Sequence, residues 1–318
     1  MSIRVVAYTP EMEEQWDTWC ASADNATILH TRRFLNYHGD RFIDQSRLIY
    51  DDAKLVGVLP AASAPGRTDI VTSHPGVTYG GLVHHGWLTG ERMIEAMLLL
   101  AEDFRACGYS RFQYKPLPYI YARVPSQDDL YALFRIGATR VRCDLSSTID
   151  LTYRRPTSDR RKRGLKKASR VVRVVAGIEY AEELWHVLEA NLEKKHGAKP
   201  VHSIAELKFL AQQFPKDILI RAAILEEKVA AGVVLFRSAT TWHAQYIASS
   251  EAGYSVSALD AVFESIIEEA RLANCRYFDF GTSNEEAGTI LNDGLYRFKS
   301  EFGGGGMVHE YYELKLQQ

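Results

Sequence analysis

Two stretches of this 318-residue chain repeat one pattern, and the repeat constrains the fold more than any other feature. Residues 47–62 read RLIYDDAKLVGVLPAA, and residues 221–236 read RAAILEEKVAAGVVLF. In each stretch, two apolar runs flank a pair of acids and a lysine, which predicts a β-hairpin with a polar turn. Two copies of one unit predict an internal duplication of the fold.

The segments that follow each hairpin support the duplication. Residues 90–116 and residues 257–283 both read as a helix followed by a strand. We therefore expect an α+β fold in which two lobes, residues 1–150 and residues 151–318, share one plan of mostly antiparallel sheets flanked by helices.

Two S-x-x-D/E patterns predict where helices of the second lobe begin. Ser203 with Glu206, and Ser257 with Asp260, have the spacing of a capping box, in which the two side chains satisfy backbone N–H groups of the first turn.

Charge is concentrated in one segment. The net charge of the chain is only −2, but residues 151–173 hold ten Lys or Arg and a single Asp. The segment predicts a basic helix at the start of the second lobe, with three interpretations: a solvated helical face, a binding surface for a phosphate-rich donor such as tRNA or CoA, or a membrane attachment. For the second interpretation, the candidate donor-binding residues are Arg160, Arg161, Arg163 and Lys166.

Several function classes find no support in the sequence. The four cysteines are far apart and form no C-x-x-C pair, which indicates reduced thiols in a cytoplasmic protein and no metal site. No segment has the length of apolar chain that a membrane span needs, and the first residues do not resemble a signal peptide. The G-x-S-x-G and H-E-x-x-H motifs are absent, so we expect neither a serine nucleophile nor metal-assisted hydrolysis.

The order of elements in the second half resembles a known family. The runs AAGVVLF, WHAQYIASS, RYFDFGTS and LYRFKSEFGG, with a helix from Ser257 and a final strand HEYYEL, resemble a GNAT acyltransferase lobe. The duplicated lobe and the closing FK-x-x-FGG resemble the Fem-type tandem GNAT proteins, which include peptidoglycan aminoacyltransferases. The resemblance covers nearly the whole chain and is strongest over residues 157–314.

The resemblance implies an acyltransferase. Such an enzyme moves an activated acyl or aminoacyl group, from acyl-CoA or aminoacyl-tRNA, onto a primary amine of a small or cell-envelope precursor, with no tightly bound cofactor. It also implies a groove between the lobes that holds a phosphate-bearing acceptor. CoA-dependent GNAT lobes carry Q/R-x-x-G-x-G/A where a strand meets a helix, so that backbone N–H groups bind the pyrophosphate. Here that junction, residues 249–261, has one glycine and an acid, Glu251, so the sequence departs from the CoA pattern.

The closing motif lies in residues 294–306, GLYRFKSEFGGGG. A helix over residues 291–302 is expected to end at the glycines, and cations near a helix C-terminus are favourable for the helix dipole alone. Arg297 and Lys299 therefore need no ligand to explain them. The family resemblance nevertheless implies that Lys299 contacts the acceptor's phosphate, with Arg297 and Lys115 as further candidates for that role.

Other candidates are expected to line the groove. These are Tyr79, Gln245 and Tyr246. On a regular strand, His243 and Gln245 would lie on one face and Tyr246 on the other.

Amine acylation needs a base for the ammonium proton and a dipole for the oxyanion. Asp279, at the end of a strand, is the proton acceptor that we favour, with His243 and Glu301 as alternatives. A different class is also open: a catalytically silent pseudo-transferase that binds a sugar nucleotide or a protein partner, which loss of the CoA loop would fit.

Overall fold

A computed structural model describes residues 3–316, without the side chains of residues 195 and 196. Its α-helices are α1 (Glu13–Ser22), α2 (Arg32–Leu35), α3 (Glu91–Ala106), α4 (Asp128–Arg135), α5 (Asp159–Ala168), α6 (Ala181–His196), α7 (Ile204–Gln213), α8 (Glu251–Val256), α9 (Ala258–Leu272) and α10 (Asp293–Ser300). Its strands are β1 (Ile3–Ala7), β2 (Ile43–Asp44), β3 (Arg47–Asp51), β4 (Lys54–Leu59), β5 (Ala62–Ser63), β6 (Ile70–Thr72), β7 (Val83–His84), β8 (Arg111–Tyr114), β9 (Thr139–Asp150), β10 (Arg173–Ala176), β11 (Ile218–Leu225), β12 (Lys228–Arg237), β13 (Thr241–Ser249), β14 (Tyr277–Thr282), β15 (Asn284–Glu285), β16 (Ile290–Leu291) and β17 (Gly305–Lys315). The predicted α+β class is confirmed.

The chain forms two compact units. Of the described residues, the first comprises 3–144, 286–289 and 308–316, and the second comprises 145–285 and 290–307. Residues 308–316 thus belong to the first unit, which a division of the sequence at residue 150 does not anticipate. That each half of the chain forms a GNAT-like lobe by itself stays a prediction.

The first unit is built on two sets of strands. One is a four-stranded sheet in the order β1-β3-β4-β7, and the other has the order β17-β8-β6-β5-β2. Its main core packs the buried face of α3, including Met97, Leu100 and Phe104, against strand residues such as Ile49 and Phe112. The apolar positions of α3 recur at helical spacing, which explains why this helix buries one face.

The second unit is a sheet in the order β10-β11-β12-β13-β14-β9. Neighbouring strands are antiparallel except β13 and β14, which run parallel. Helix α9 covers one face of this sheet, where Val262, Phe263 and Ile266 pack against Val233 and Phe278. Within residues 3–316, no helix combines the length and the apolar character that a membrane crossing requires.

The predicted pair of hairpins is confirmed in detail. In the first, Asp51 pairs with Lys54 and the register shifts by one residue between Ile49 and Tyr50. In the second, Leu225 pairs with Lys228, and the same shift occurs at the equivalent position, between residues 223 and 224. A β-bulge at the same place in both copies agrees with the duplication predicted from the sequence.

One of the two predicted capping boxes is confirmed and the other is wrong. Ser203 and Glu206 form the reciprocal pair at the start of α7. Ser257 makes no capping hydrogen bond, because it lies in the left-handed region (φ 61°) between α8 and α9. Asp260 points instead into a buried ion pair with Arg161.

Candidate functional site

The candidate site lies in the second unit, where two neighbouring strands separate. Strands β13 and β14 pair in parallel from Thr241 and Tyr277 to His243 and Asp279, and the pairing ends there. Both strands continue, to Ser249 and Thr282 respectively. Beyond His243 and Asp279 the two strands are therefore not paired with each other, although Gly281 on β14 still lies close to His243 and Ala244 on β13.

Asp279 is the centre of a polar cluster at this point. It is fully buried, and its carboxylate accepts hydrogen bonds from Ser146 Oγ, from Thr148 Oγ1 at 2.7 Å and from His243 Nδ1 at 2.7 Å. The sheet register explains the cluster, because Asp279 on β14 lies directly between His243 on β13 and Thr148 on β9. A buried carboxylate without such donors would be costly.

This contact sets the tautomer of His243. A carboxylate only accepts, so Nδ1 carries the ring hydrogen, and Nε2 then presents a lone pair. Gly281, at φ 76°, lies against the ring: a Cβ there would stand 3.3 Å from His243 Cε1 and 3.6 Å from Ala244 O. Asp279 and His243, two of the candidate bases from the sequence, are thus in direct contact and both buried; which of them acts as the base stays a prediction.

The expected alternation of side chains along β13 is wrong, because the strand contains a bulge. His243 pairs with Phe236, and Tyr246 pairs with Val234, so Gln245 is the extra residue. Phe236 and Val234 lie two positions apart and share a face, and the bulge thus places Tyr246 on the same face as His243. A one-residue slip reverses the face of every side chain that follows it.

Tyr246 extends the polar surface of that face. Its hydroxyl hydrogen-bonds His202 Nδ1, its ring packs against Trp185 with centroids 5.0 Å apart, and burial raises its pKa to about 12. Gln245 Oε1 is buried and has no hydrogen-bond partner among the described residues. Tyr246 and Gln245 therefore lie near His243 in the strand, and their predicted role in lining a groove stays a prediction.

Lys299 lies next to the cluster, with its ammonium turned inward. It is buried and donates to Gly281 O at 2.9 Å and to Thr282 O at 2.7 Å. Burial lowers its pKa to about 8, while the nearby Asp279 opposes this shift. Lys299 thus holds the backbone that follows Asp279. Arg297, two residues earlier on α10, is exposed.

The predicted basic helix is α5, and its cations divide into two groups. Arg161 is buried and paired with Asp260 at 3.0 Å and with Glu301 at 3.1 Å. Burial raises the pKa of Asp260 to about 6, and the Arg161 guanidinium opposes the shift. Arg161 and Glu301 are therefore engaged inside the fold. The exposed candidates of this helix are Arg160, Arg163 and Lys166.

The junction that would hold a pyrophosphate in a CoA-dependent lobe is a short helix here. Ser250 Oγ accepts from Gly253 N at 3.1 Å and so caps α8. Gly253 packs closely, since a Cβ on it would stand 2.3 Å from Ala230 O. Glu251 in the first turn is exposed and pairs with Lys194. The serine side chain thus occupies one of the backbone N–H groups at the start of this helix, the one on Gly253.

The two candidates of the first unit are internal residues of that unit. Lys115 donates to His74 O at 3.3 Å and to Val77 O, and burial lowers its pKa to about 7. Tyr79 is buried between His30 and Tyr121, with ring centroids 5.9 Å and 4.4 Å away. Both residues thus take part in the internal packing and hydrogen bonding of the first unit.

Sequence reasoning missed several members of the site. Ser146, Thr148 and His202 received no role, because hydroxyl and imidazole side chains distant in sequence become neighbours only through the sheet register. Among the side chains described, no group of three or more His, Cys, Asp or Glu is arranged to hold a metal ion.

Comparison with known proteins agrees with this architecture. Residues 153–300 match the family model described as an acetyltransferase (GNAT) domain. FemX has a similar structure, with a TM-score of 0.70 at 11% identity over 98% of this chain and 97% of that one. L-PGS from Bacillus licheniformis has a TM-score of 0.60 at 14% identity, covering 98% and 93% of the two chains.

A third similar structure is described as a tandem GNAT protein from the clavulanic acid biosynthesis pathway, with a TM-score of 0.54 at 10% identity over 100% and 99% of the two chains. No curated protein matches the sequence. At these identities the structural likeness establishes the fold. The predicted resemblance to tandem GNAT proteins of the Fem type is confirmed at that level.

Proposed function

We propose that this chain is an N-acyltransferase, because residues 153–300 match the GNAT acetyltransferase family model and the fold is similar to that of FemX. It moves an activated acyl or aminoacyl group onto a primary amine of a small or cell-envelope precursor. The observation that carries the proposal is the contact of His243 Nδ1 with the buried Asp279 at 2.7 Å, at the point where β13 and β14 separate.

The proposed chemistry is direct attack by the acceptor amine. The amine forms a C–N bond to the carbonyl of the donor, and the C–S bond of a thioester or the C–O bond of an ester breaks. His243 Nε2 takes the proton that the attacking nitrogen releases, and Asp279 stabilises the imidazolium that forms. The proton then passes to the leaving thiolate or alkoxide. Positioning of the two substrates supplies much of the remaining rate.

The residues around this pair have separate proposed roles. Lys299 fixes the carbonyls of Gly281 and Thr282 and so positions the strand end that carries Asp279. Tyr246 and Gln245 line the acceptor side. Contacts of Lys299, Arg297 and Lys115 with an acceptor phosphate, and of Tyr79 with the acceptor, stay predictions.

The donor is acyl-CoA or aminoacyl-tRNA in this proposal. One similar structure carries the name lysylphosphatidylglycerol synthetase, which fits an aminoacyl donor. The name of the tandem GNAT protein mentions AcCoA, which fits a CoA donor. The junction at Ser250 departs from the sequence pattern of CoA-dependent lobes, and its serine caps the Gly253 N–H, which weighs against acyl-CoA without excluding it.

A thermal-shift screen at fixed salt tests the donor class. Acetyl-CoA, CoA, total tRNA and UDP-sugars are added separately, because a ligand that binds only the folded state raises the melting temperature. We expect a rise with CoA or with tRNA. A response to UDP-sugars alone, with no turnover of any acyl donor, would support the catalytically silent pseudo-transferase instead.

A further inference from the structure

The exposed cations of the basic segment line a groove on the second unit. Four of them, Arg163, Lys166, Lys167 and Arg170, form its walls together with Val171 and Val256, around a volume of about 310 Å³. The lining contains no acidic side chain. The groove is formed by the C-terminal half of α5, the turn after it, and the end of α8.

These cations are not used to hold the fold together. The buried cation of the segment, Arg161, is neutralised by Asp260 and Glu301. Among the residues that the structure describes, Arg163, Lys166 and Arg170 form no ion pair with a carboxylate, and Lys167 donates to the carbonyl of Ser255, which leaves its charge unbalanced. Concentrated positive charge without internal counter-ions attracts phosphate.

The shape of the groove selects among anionic ligands. A volume of about 310 Å³ is at the lower end of small-molecule sites. Val171, half exposed, and Val256 give it an apolar wall beside the cations. Guanidinium groups suit bidentate contacts with phosphate, and an apolar wall suits a ribose or a base. The cations beside an apolar wall therefore fit a small ligand that carries both phosphate and an apolar part.

The neighbouring helix explains why side chains are needed here. Ser250 Oγ already caps the Gly253 N–H, and the first turn of α8 carries the acidic Glu251. One backbone N–H of this junction is thus already used, and a carboxylate lies beside the others. The groove borders the other end of the same helix, and Lys167 links α5 to it through Ser255 O at 2.5 Å.

We propose that the groove formed by Arg163, Lys166, Lys167 and Arg170 binds the phosphate groups of a nucleotide, with Val171 and Val256 against its sugar or base. This inference rests on the proposed acyl transfer in one respect: the nucleotide is the terminal part of the acyl donor. Both CoA and the 3′ end of a tRNA supply an adenosine that carries phosphate, so the chemistry is shared and the source is left to the experiment.

Isothermal titration at fixed salt tests the groove without any turnover. The probes are CoA, adenosine 3′,5′-bisphosphate and an RNA hairpin with a 3′-CCA end. The test variant is Arg163→Gln with Arg170→Gln. The matched control is Lys162→Gln with Arg173→Gln, which removes the same charge from exposed positions of the same segment outside the groove.

We expect the test variant to weaken binding of at least one probe about tenfold or more, since each lost charged contact with phosphate is worth about tenfold. The control should change it by no more than about twofold. The affected probe identifies the source of the nucleotide. Equal losses of affinity in the test and control variants would overturn the inference, because the probes would then be attracted by the positive charge of the whole segment and not by the groove.

Two further outcomes would also overturn it: no binding of any nucleotide probe, and binding to vesicles with anionic lipid in place of the nucleotides. The result is independent of transfer. If nucleotide binding depends on the groove but no acyl group is transferred, the proposed function is contradicted and the proposed nucleotide site is supported. If acyl transfer proceeds with unchanged KM for the donor in the test variant, the proposed nucleotide site is contradicted and the proposed function is supported.

Discussion

Replacing Asp279 by Asn perturbs the proposed reaction with little change of shape. Oδ1 of the carboxylate accepts hydrogen bonds from Ser146 and Thr148, and Oδ2 accepts one from His243. If the amide NH₂ faces His243, the ring must turn to the other tautomer, and Nε2 becomes a donor instead of a base. If it faces the two hydroxyls, the tautomer survives, but the imidazolium loses its buried counter-charge.

The expected loss follows from that geometry. A positioned general base contributes about 10²- to 10⁴-fold to a rate, and either orientation of the amide removes most of this contribution. We therefore expect kcat of Asp279→Asn to fall by about 10²-fold or more. Thr148→Val is the control, since it removes one hydrogen bond to the same carboxylate and leaves the charge, and about a fivefold loss is expected.

The assay combines rate and spectroscopy. Turnover is measured by release of free CoA or deacylated tRNA, and the fold of each variant is checked by its melting temperature. Nitrogen NMR of His243 should show the hydrogen on Nδ1 in the wild type. The double variant Asp279→Asn with His243→Gln should lose no more than the larger single loss, because the two residues act as a unit. A folded Asp279→Asn that retains wild-type kcat would refute the pair.

Three other outcomes follow from buried groups. The folded-state pKa of Lys115 is about 7, below the ordinary 10.5, so the unfolded chain holds its proton longer and stability rises with pH between these values. The unfolding free energy of the wild type, relative to that of Lys115→Met, should thus increase by up to about 1.4 kcal/mol per pH unit above pH 7, as measured by urea titrations. A difference that does not change with pH would contradict this. Arg161→Met leaves Asp260 without its main counter-ion and should lower the free energy of unfolding by about 3–5 kcal/mol. Adding Asp260→Leu should restore part of this stability. A decrease below about 1 kcal/mol would count against the buried network. Gly281→Ala should cost about 1–2 kcal/mol, since φ is 76° there, and should lower kcat by displacing His243; unchanged stability and kcat would argue against both effects.

The parts of the fold that depend on local pattern could be predicted from the sequence. The hairpins follow from alternating apolar residues around acidic turns, and the start of α7 follows from Ser203 and Glu206. The bulge at Gln245 could not be predicted, because it depends on how β12 and β13 pair, and it moved Tyr246 to the face of His243.

The site was predictable only as a set of residue types. Asp279 and His243 were both candidates, but their contact requires the parallel register of β13 and β14. Arg160 and Arg161 are two neighbouring arginines that the sequence does not distinguish. Only the packing of α5 shows that Arg161 is buried against Asp260. Asp260 itself fitted a capping pattern, and the left-handed conformation of Ser257 excluded that role.

The central claim is that this chain forms a C–N bond between an acyl donor and an amine. The most direct test is mass spectrometry of reactions that contain acetyl-CoA or aminoacyl-tRNA with a panel of amino sugars and cell-envelope precursors. The account predicts an N-acylated product with the wild type and at least about a 10²-fold slower appearance with His243→Gln. Equal product rates for the two proteins, or donors that bind and are never consumed, would contradict it.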